Sequence, residues 1–179
     1  MLIIQLTGLS GAGKSTIANL VAEKMLKQNI PVEVLDGDIY RNSVINKGLG
    51  FSMQDRKTNL ERLFFISKIL ASHKVVAIIA AINPFEDLRS KFASSSTNIR
   101  TVWIKCDLQT LLKRDPKGLY KKAMLPFESA EKLNDFTGIS SPYEEPVHPD
   151  LVIDTTHESI EKSVASLYSF IISEKGKSL

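Results

Sequence analysis

The chain has 179 residues, 43% hydrophobic and 24% charged, a composition typical of a soluble globular domain. A formal net charge of +3 suits an anionic substrate but is too small to indicate binding to nucleic acid or to a membrane. The single cysteine excludes an internal disulfide and argues against a cysteine-based metal site. We expect one domain over residues 1–179 in the cytoplasm, since we find neither a membrane-length apolar stretch nor a signal peptide.

Short apolar runs alternate with helical patterns along the chain. The runs predict strands at 2–6, 32–35, 75–82, 101–105 and 151–153. The intervening patterns predict helices at 14–28, 39–47, 55–72, 85–93, 108–113 and 159–172. This alternation predicts an α/β fold in which a parallel five-stranded sheet carries helices on both faces.

A glycine-rich turn that reads G-x-x-x-x-G-K-S follows the first predicted strand. Its glycines let successive backbone N–H groups point into one hollow, and the dipole of the following helix adds positive potential there. Lys14 can reach the β- and γ-phosphates of a nucleotide, and Ser15 can ligate Mg²⁺. We therefore expect the loop to bind the phosphates of a nucleotide, with Mg²⁺. The residues expected to hold the nucleotide are Gly8, Leu9, Ser10, Gly11, Ala12, Gly13, Lys14, Ser15 and Thr16.

Two carboxylates, Asp36 and Asp38, follow the second predicted strand. Ligands of parallel sheets lie beyond the carboxyl ends of the strands, so both are expected beside the phosphate-binding loop. Asp38, which could share a helical face with Arg41, can accept a proton from an attacking hydroxyl or help to hold Mg²⁺. We predict that Asp38 and Lys14 are catalytic. For Asp36, a role in the site and a purely structural role in the turn or as helix N-cap are equally supported. The third strand is followed by Asn83 and thus lacks the usual Walker B aspartate.

A third group of candidates surrounds the start of the helix predicted at 55–72. Arg56 and Asn59 lie one turn apart and could clamp an anion and a hydroxyl, or could simply form a solvated helix face. Phe51 could stack on a base or could lie in the core.

The stretch 115–149 is weakly patterned and rich in proline. A loop this long in a compact domain is usually functional or mobile, which favours a lid that closes over bound substrate. The alternative is a passive surface excursion.

Taken together, these motifs resemble the adenylylsulfate kinase family. The resemblance runs from about residue 4 to residue 155 and includes the phosphate-binding loop, D-G-D at 36–38 and L-G-F-S at 49–52. The segments R-D-P-K-G-L-Y at 114–120 and F-T-G-I at 136–139 are more specific than the loop. The family transfers the γ-phosphate of ATP to the 3′-hydroxyl of adenosine 5′-phosphosulfate, giving 3′-phosphoadenylyl sulfate.

The resemblance implies residue roles that spacing alone does not supply. It makes Asp38 the base or metal-linked aspartate, and it makes Arg114 part of the lid that covers ATP. Two aromatic residues, Phe51 and Phe136, would sandwich the adenine of the acceptor. The full set implied for the acceptor site is Asp36, Arg41, Phe51, Arg56, Asn59 and Phe136. The resemblance also implies a homodimer.

The chain departs from the family pattern at two places. Asn83 stands where the family commonly has a serine, and the segment between Ala123 and Phe136 is longer than usual. The longer segment keeps an alternative open, a related kinase that acts on another nucleotide or nucleotidyl conjugate. A nucleotide-dependent switch such as a small GTPase is disfavoured because the guanine-binding N-K-x-D pattern is absent, the closest match being N-K-G-L at 46–49.

Overall fold

The computed structural model describes residues 2–177 and contains one parallel sheet. Its strand order is β2-β3-β1-β4-β5, and every neighbouring pair is parallel. The strands are β1 (Ile3–Thr7), β2 (Val32–Asp36), β3 (Val76–Ala80), β4 (Ile99–Lys105) and β5 (Leu151–Asp154). The prediction of a five-stranded parallel sheet is confirmed.

Helices cover both faces of the sheet. They are α1 (Lys14–Leu26), α2 (Gly37–Arg41), α3 (Met53–Ser72), α4 (Glu86–Ser94), α5 (Leu108–Arg114), α6 (Leu119–Ala123) and α7 (Ile160–Lys177). Within the described residues, none is both long enough and apolar enough to cross a membrane.

Two hydrophobic cores lie on opposite faces of the sheet because successive strand residues point in opposite directions. Ile4 and Leu6 pack with α1 and α7, whereas Ile3 packs with α3 and α4. Every residue of β1 and β3 is buried, as expected for strands covered on both sides. Cys106 is also buried, in the core on the face that α1 and α7 cover.

The helix predicted at 39–47 is wrong in its bounds. The chain forms α2 and then a separate 3₁₀ turn, Val44–Asn46. The helix begins early because the Asp36 carboxylate accepts hydrogen bonds from the backbone N–H groups of Asp38 and Ile39. Such capping satisfies amides that a helix start leaves without partners.

The segment 115–149 divides into three parts. The first holds α6, which the sequence analysis missed, and the second, 124–135, has no buried residue. The third part is anchored to the body: the Tyr143 hydroxyl lies 2.9 Å from the Thr7 hydroxyl, and Arg89 donates to the Glu144 carbonyl at 2.5 Å. Any lid motion is therefore expected first in 124–135.

Candidate active site

The phosphate-binding loop curls tightly between β1 and α1. Gly8 has a φ of 149°, and a Cβ atom placed on it would lie 2.3 Å from the Ile104 carbonyl oxygen. Gly13 caps α1 in the left-handed region, with a φ of 100°. Glycine is needed at both positions, at Gly8 because of close packing and at Gly13 because of the backbone conformation.

Lys14 lies within the curl of this loop. Its ammonium group donates to the carbonyls of Gly8 and Leu9, each at 2.8 Å, and only 7% of the residue is exposed. Burial lowers the pKa of Lys14 to about 8, although the negative charges of Asp38 and Asp36 oppose this shift. A charge held here is well placed for the phosphates of a nucleotide.

Ser15, in the first turn of α1, contacts Asp36 at the end of β2. The Ser15 hydroxyl donates to the Asp36 carboxylate at 2.5 Å, and the other carboxylate oxygen caps α2. Asp36 is thus an N-cap and also touches the phosphate loop. A hydroxyl and a carboxylate oxygen form the oxygen set that Mg²⁺ prefers, and Mg²⁺ usually completes its shell with phosphates and water. This suits Mg²⁺, although the described residues include no cluster of three or more His, Cys, Asp or Glu side chains that could hold a metal.

Asp38 is exposed and pairs with Lys117 at 2.5 Å. The hydrogen bond to Asp38 raises the pKa of Lys117. Sequence reasoning did not single out Lys117, which lies 79 residues from Asp38 along the chain. The available signal was its place in the R-D-P-K-G-L-Y segment.

Three of the expected acceptor residues come together at the start of α3. The Arg41 guanidinium stands 4.9 Å from the centre of the Phe51 ring and donates to the Gly50 carbonyl. Arg56 donates to the Phe51 carbonyl at 2.7 Å and also to the Thr137 hydroxyl. Phe51 is 64% exposed, so the alternative of a core residue is wrong.

Asn59 and Phe136 are buried, unlike Phe51. Asn59 accepts a hydrogen bond from Asn46 at 2.6 Å, so it does not belong to a solvated helix face. The Phe136 ring meets Tyr120 edge to face, with ring centres 4.9 Å apart. The two aromatic residues expected to flank one adenine therefore differ strongly in accessibility.

Arg114 lies at the end of α5 and contacts the loop that follows β5. Its guanidinium donates to the Thr155 carbonyl at 2.6 Å. The Thr155 hydroxyl in turn donates to the Ala12 carbonyl at 3.0 Å. Arg114 is therefore linked to the phosphate loop through a single residue.

Asn83 lies in a buried polar network beneath the site. It has a φ of 45° and donates to the Gln5 side chain at 3.2 Å. Its carbonyl accepts from Thr7 and from the buried Arg89. Among residues 2–177, its side-chain oxygen is buried without a hydrogen-bond partner. Where the family commonly has a serine, this chain thus has an amide side chain in the buried polar network beneath the site.

Comparison with known proteins gives a consistent result. The family model described as adenylylsulphate kinase matches residues 1–154. A probable adenylyl-sulfate kinase of Halalkalibacterium halodurans is 43% identical over 178 residues, which is 98% of this chain and 85% of the relative. An adenylyl-sulfate kinase of Bacillus pumilus is 45% identical over 180 residues, covering 98% of this chain and 86% of the relative.

Solved structures show the same likeness. The Mycobacterium tuberculosis APS kinase in complex with AMPPNP and APS superimposes with a TM-score of 0.85 and 37% identity, covering 95% of this chain and 96% of that one. A hexameric APS kinase from Thiobacillus denitrificans gives a TM-score of 0.68 with 26% identity, over 97% of this chain and 29% of the other.

Proposed function

The chain belongs to the adenylylsulfate kinase family, and we propose that it transfers the γ-phosphate of ATP to the 3′-hydroxyl of adenosine 5′-phosphosulfate. The products are ADP and 3′-phosphoadenylyl sulfate. The observation that carries this proposal is the 2.5 Å contact between Ser15 and Asp36. It joins the phosphate loop to the start of α2, the helix that carries both Asp38 and Arg41.

On the nucleotide side, the loop amides and Lys14 bind the phosphates and stabilise the charge that spreads over the transferred group. Ser15 and Asp36 are the residues that would hold Mg²⁺. When bound, Mg²⁺ neutralises charge on the β- and γ-phosphate oxygens. Arg114 covers the nucleotide from the side of Thr155.

On the acceptor side, Asp38 takes the proton of the attacking 3′-hydroxyl. Its present partner, Lys117, must move aside for this step, and its charge is then free to approach a phosphate oxygen. Moving Lys117 away breaks an ion pair between two exposed side chains, 71% exposed for Asp38 and 59% for Lys117. The cost in free energy is therefore small.

Recognition of the acceptor combines charge and stacking. Arg41 and Arg56 bind the phosphosulfate through planar, charge-assisted hydrogen bonds. The exposed ring of Phe51 stacks on the adenine, and Phe136 forms the opposite wall of the pocket. Asn59 supports this pocket from within the protein through its hydrogen bond to Asn46.

The protein acts in the cytoplasm as a homodimer. The exposed apolar side chains of Phe65 and Ile69, one helical turn apart on α3, supply a surface suited to self-association. Sedimentation of the purified protein tests this assembly. A monomer at all concentrations would contradict it, and a hexamer would match the Thiobacillus denitrificans neighbour instead.

The function is tested by measuring ADP release from ATP and Mg²⁺ with a panel of acceptors. The panel contains adenosine 5′-phosphosulfate, AMP, GMP and water alone. AMP is the matched control because it keeps the adenine and the 3′-hydroxyl but lacks the sulfate. Fast turnover with adenosine 5′-phosphosulfate alone is expected. Equal or faster turnover with AMP would indicate a different nucleotide kinase.

A further inference from the structure

Tyr120 contacts both the phosphate loop and a wall of the proposed acceptor pocket. It lies on α6, and its residue exposure is 1%. Its hydroxyl donates to the Ser10 carbonyl at 2.9 Å, across 110 residues of sequence. Its ring packs edge to face on Phe136, at an interplanar angle of 84°.

The hydroxyl contact fixes the direction of one loop amide. The Ser10 carbonyl and the Gly11 N–H belong to the same planar peptide unit, and the chain contains no cis peptide among the described residues. In a trans unit these two groups point in opposite directions. Holding the carbonyl against Tyr120 therefore aims the Gly11 N–H away from α6.

The Gly11 amide is available for a ligand. Among residues 2–177, its N–H donates to no protein acceptor, whereas the next amide, that of Ala12, donates to the Leu9 carbonyl at 3.3 Å. Burial raises the pKa of Tyr120, so its hydroxyl stays protonated and remains a donor at any assay pH near neutrality.

The ring contact supports a compact turn, residues 136–141, which we call the acceptor turn. The Phe136 carbonyl accepts from the amides of Ile139, Ser140 and Ser141, so the turn is closed on itself. Gly138 packs so closely on the phosphate loop that a Cβ atom there would lie 2.6 Å from the Leu9 side chain. The Thr137 hydroxyl also accepts from Arg56.

We propose that Tyr120 is a positioning residue for both substrates. Its hydroxyl aims the Gly11 amide at the phosphates of ATP, and its ring holds the acceptor turn in place. The second half of this inference rests on the proposed function, because it treats Phe136 as a wall of the adenylylsulfate pocket.

Two substitutions separate the two halves. Tyr120→Phe removes the hydroxyl and keeps the ring, whereas Tyr120→Leu removes both but keeps an apolar side chain. The matched control is Tyr168→Phe, which removes the hydrogen bond from Tyr168 on α7 to Gln28 in the turn after α1, outside the site. The measurements are the Kd for Mg²⁺–AMPPNP, kcat, the KM for adenosine 5′-phosphosulfate, and hydrogen exchange of the acceptor turn.

For Tyr120→Phe we expect the Kd for Mg²⁺–AMPPNP to rise and kcat to fall by about 3- to 10-fold, the range of one hydrogen bond between neutral groups. The acceptor KM and the exchange of the turn should stay as in the wild type. In Tyr120→Leu the acceptor KM should also rise, by about 2- to 10-fold for one lost aromatic pair, and the turn should exchange faster. Tyr168→Phe should leave all four quantities unchanged.

Wild-type nucleotide affinity and kcat in Tyr120→Phe would overturn the role proposed for the hydroxyl. If Tyr120→Phe impaired all four measured quantities equally and also lowered the Tm, Tyr120 would be only a packing residue. If hydrogen exchange of the acceptor turn were unchanged in folded Tyr120→Leu, the role proposed for the ring would be overturned. If the wild type does not phosphorylate adenosine 5′-phosphosulfate, the proposed function fails, but AMPPNP affinity and hydrogen exchange still decide the role of Tyr120.

Discussion

The buried ammonium group of Lys14 should make the stability of the protein depend on pH in a defined window. Its pKa falls from 10.5 to about 8 on folding because the side chain is removed from water. Each pKa unit corresponds to about 1.4 kcal/mol, so the charged form costs the folded state on the order of 3 kcal/mol. Replacing Lys14 by methionine removes this cost while keeping a long side chain.

The direction of the effect follows from the two pKa values. Below a pH of about 8 both states carry the proton, and the whole cost is present. Between about 8 and 10.5 the unfolded chain binds more protons than the folded one, so stability rises with pH. Over this window the wild type should gain about 3 kcal/mol relative to Lys14→Met.

Urea denaturation followed by circular dichroism at several pH values measures this difference. Lys27→Met is the matched control because Lys27 is exposed and lies outside the site. Its stability should run parallel to that of the wild type. Parallel curves for the wild type and Lys14→Met would refute the argument. Loss of the Lys14 proton should also lower kcat/KM for ATP above a pH of about 8, since this ratio reports ionisations of the free enzyme.

Three further substitutions test separate parts of the site. Asp38→Asn should lower kcat by roughly 10²–10⁴-fold, as expected for loss of a general base, with AMPPNP affinity changed little in calorimetry. Phe51→Ala should raise the KM for adenosine 5′-phosphosulfate by about 5- to 150-fold, the range of one lost stack, with no change in Tm; an unchanged KM would place the adenine elsewhere. Arg89→Met should destabilise the fold by about 3 kcal/mol in urea denaturation, because the Glu86 carboxylate and two carbonyls lose a buried partner.

Phe51 gives a cleaner test of stacking than Phe136. Truncating a buried aromatic residue typically costs about 3–5 kcal/mol of stability, so Phe136→Ala would confuse loss of stacking with loss of packing. Phe51 is 64% exposed, and its ring contact is with Arg41. A change at Phe51 therefore affects the pocket and leaves the core intact.

The sequence predicts the parts of the site that are contiguous in the chain. The phosphate loop is a single run of residues between a strand and a helix, so its motif carries its geometry. Asp36 and Asp38 were located because the carboxyl ends of parallel strands meet at one edge of the sheet. Both inferences use local spacing and one rule of topology.

The remaining contacts join residues that no local pattern relates. Lys117 reaches Asp38 across 79 residues, Arg56 reaches Thr137 across 81, and Tyr120 reaches Ser10 across 110. Such pairs depend on the path of the chain through 115–149, where hydrophobic periodicity is weak.

Helix α6 was missed for a related reason. Five residues are too few to show a helical period. Its stability comes instead from tertiary packing of Tyr120 and from capping by Asp115, whose carboxylate accepts from the amides of Tyr120 and Lys121.

The central claim is that phosphate moves from ATP to the 3′-oxygen of adenosine 5′-phosphosulfate. The most direct measurement incubates the purified protein with γ-labelled ATP, Mg²⁺ and this acceptor, and then locates the label in the product by chromatography and phosphorus NMR. We predict one labelled product, 3′-phosphoadenylyl sulfate, formed together with an equal amount of ADP. Label found only in inorganic phosphate, or on another position or acceptor, would contradict the claim.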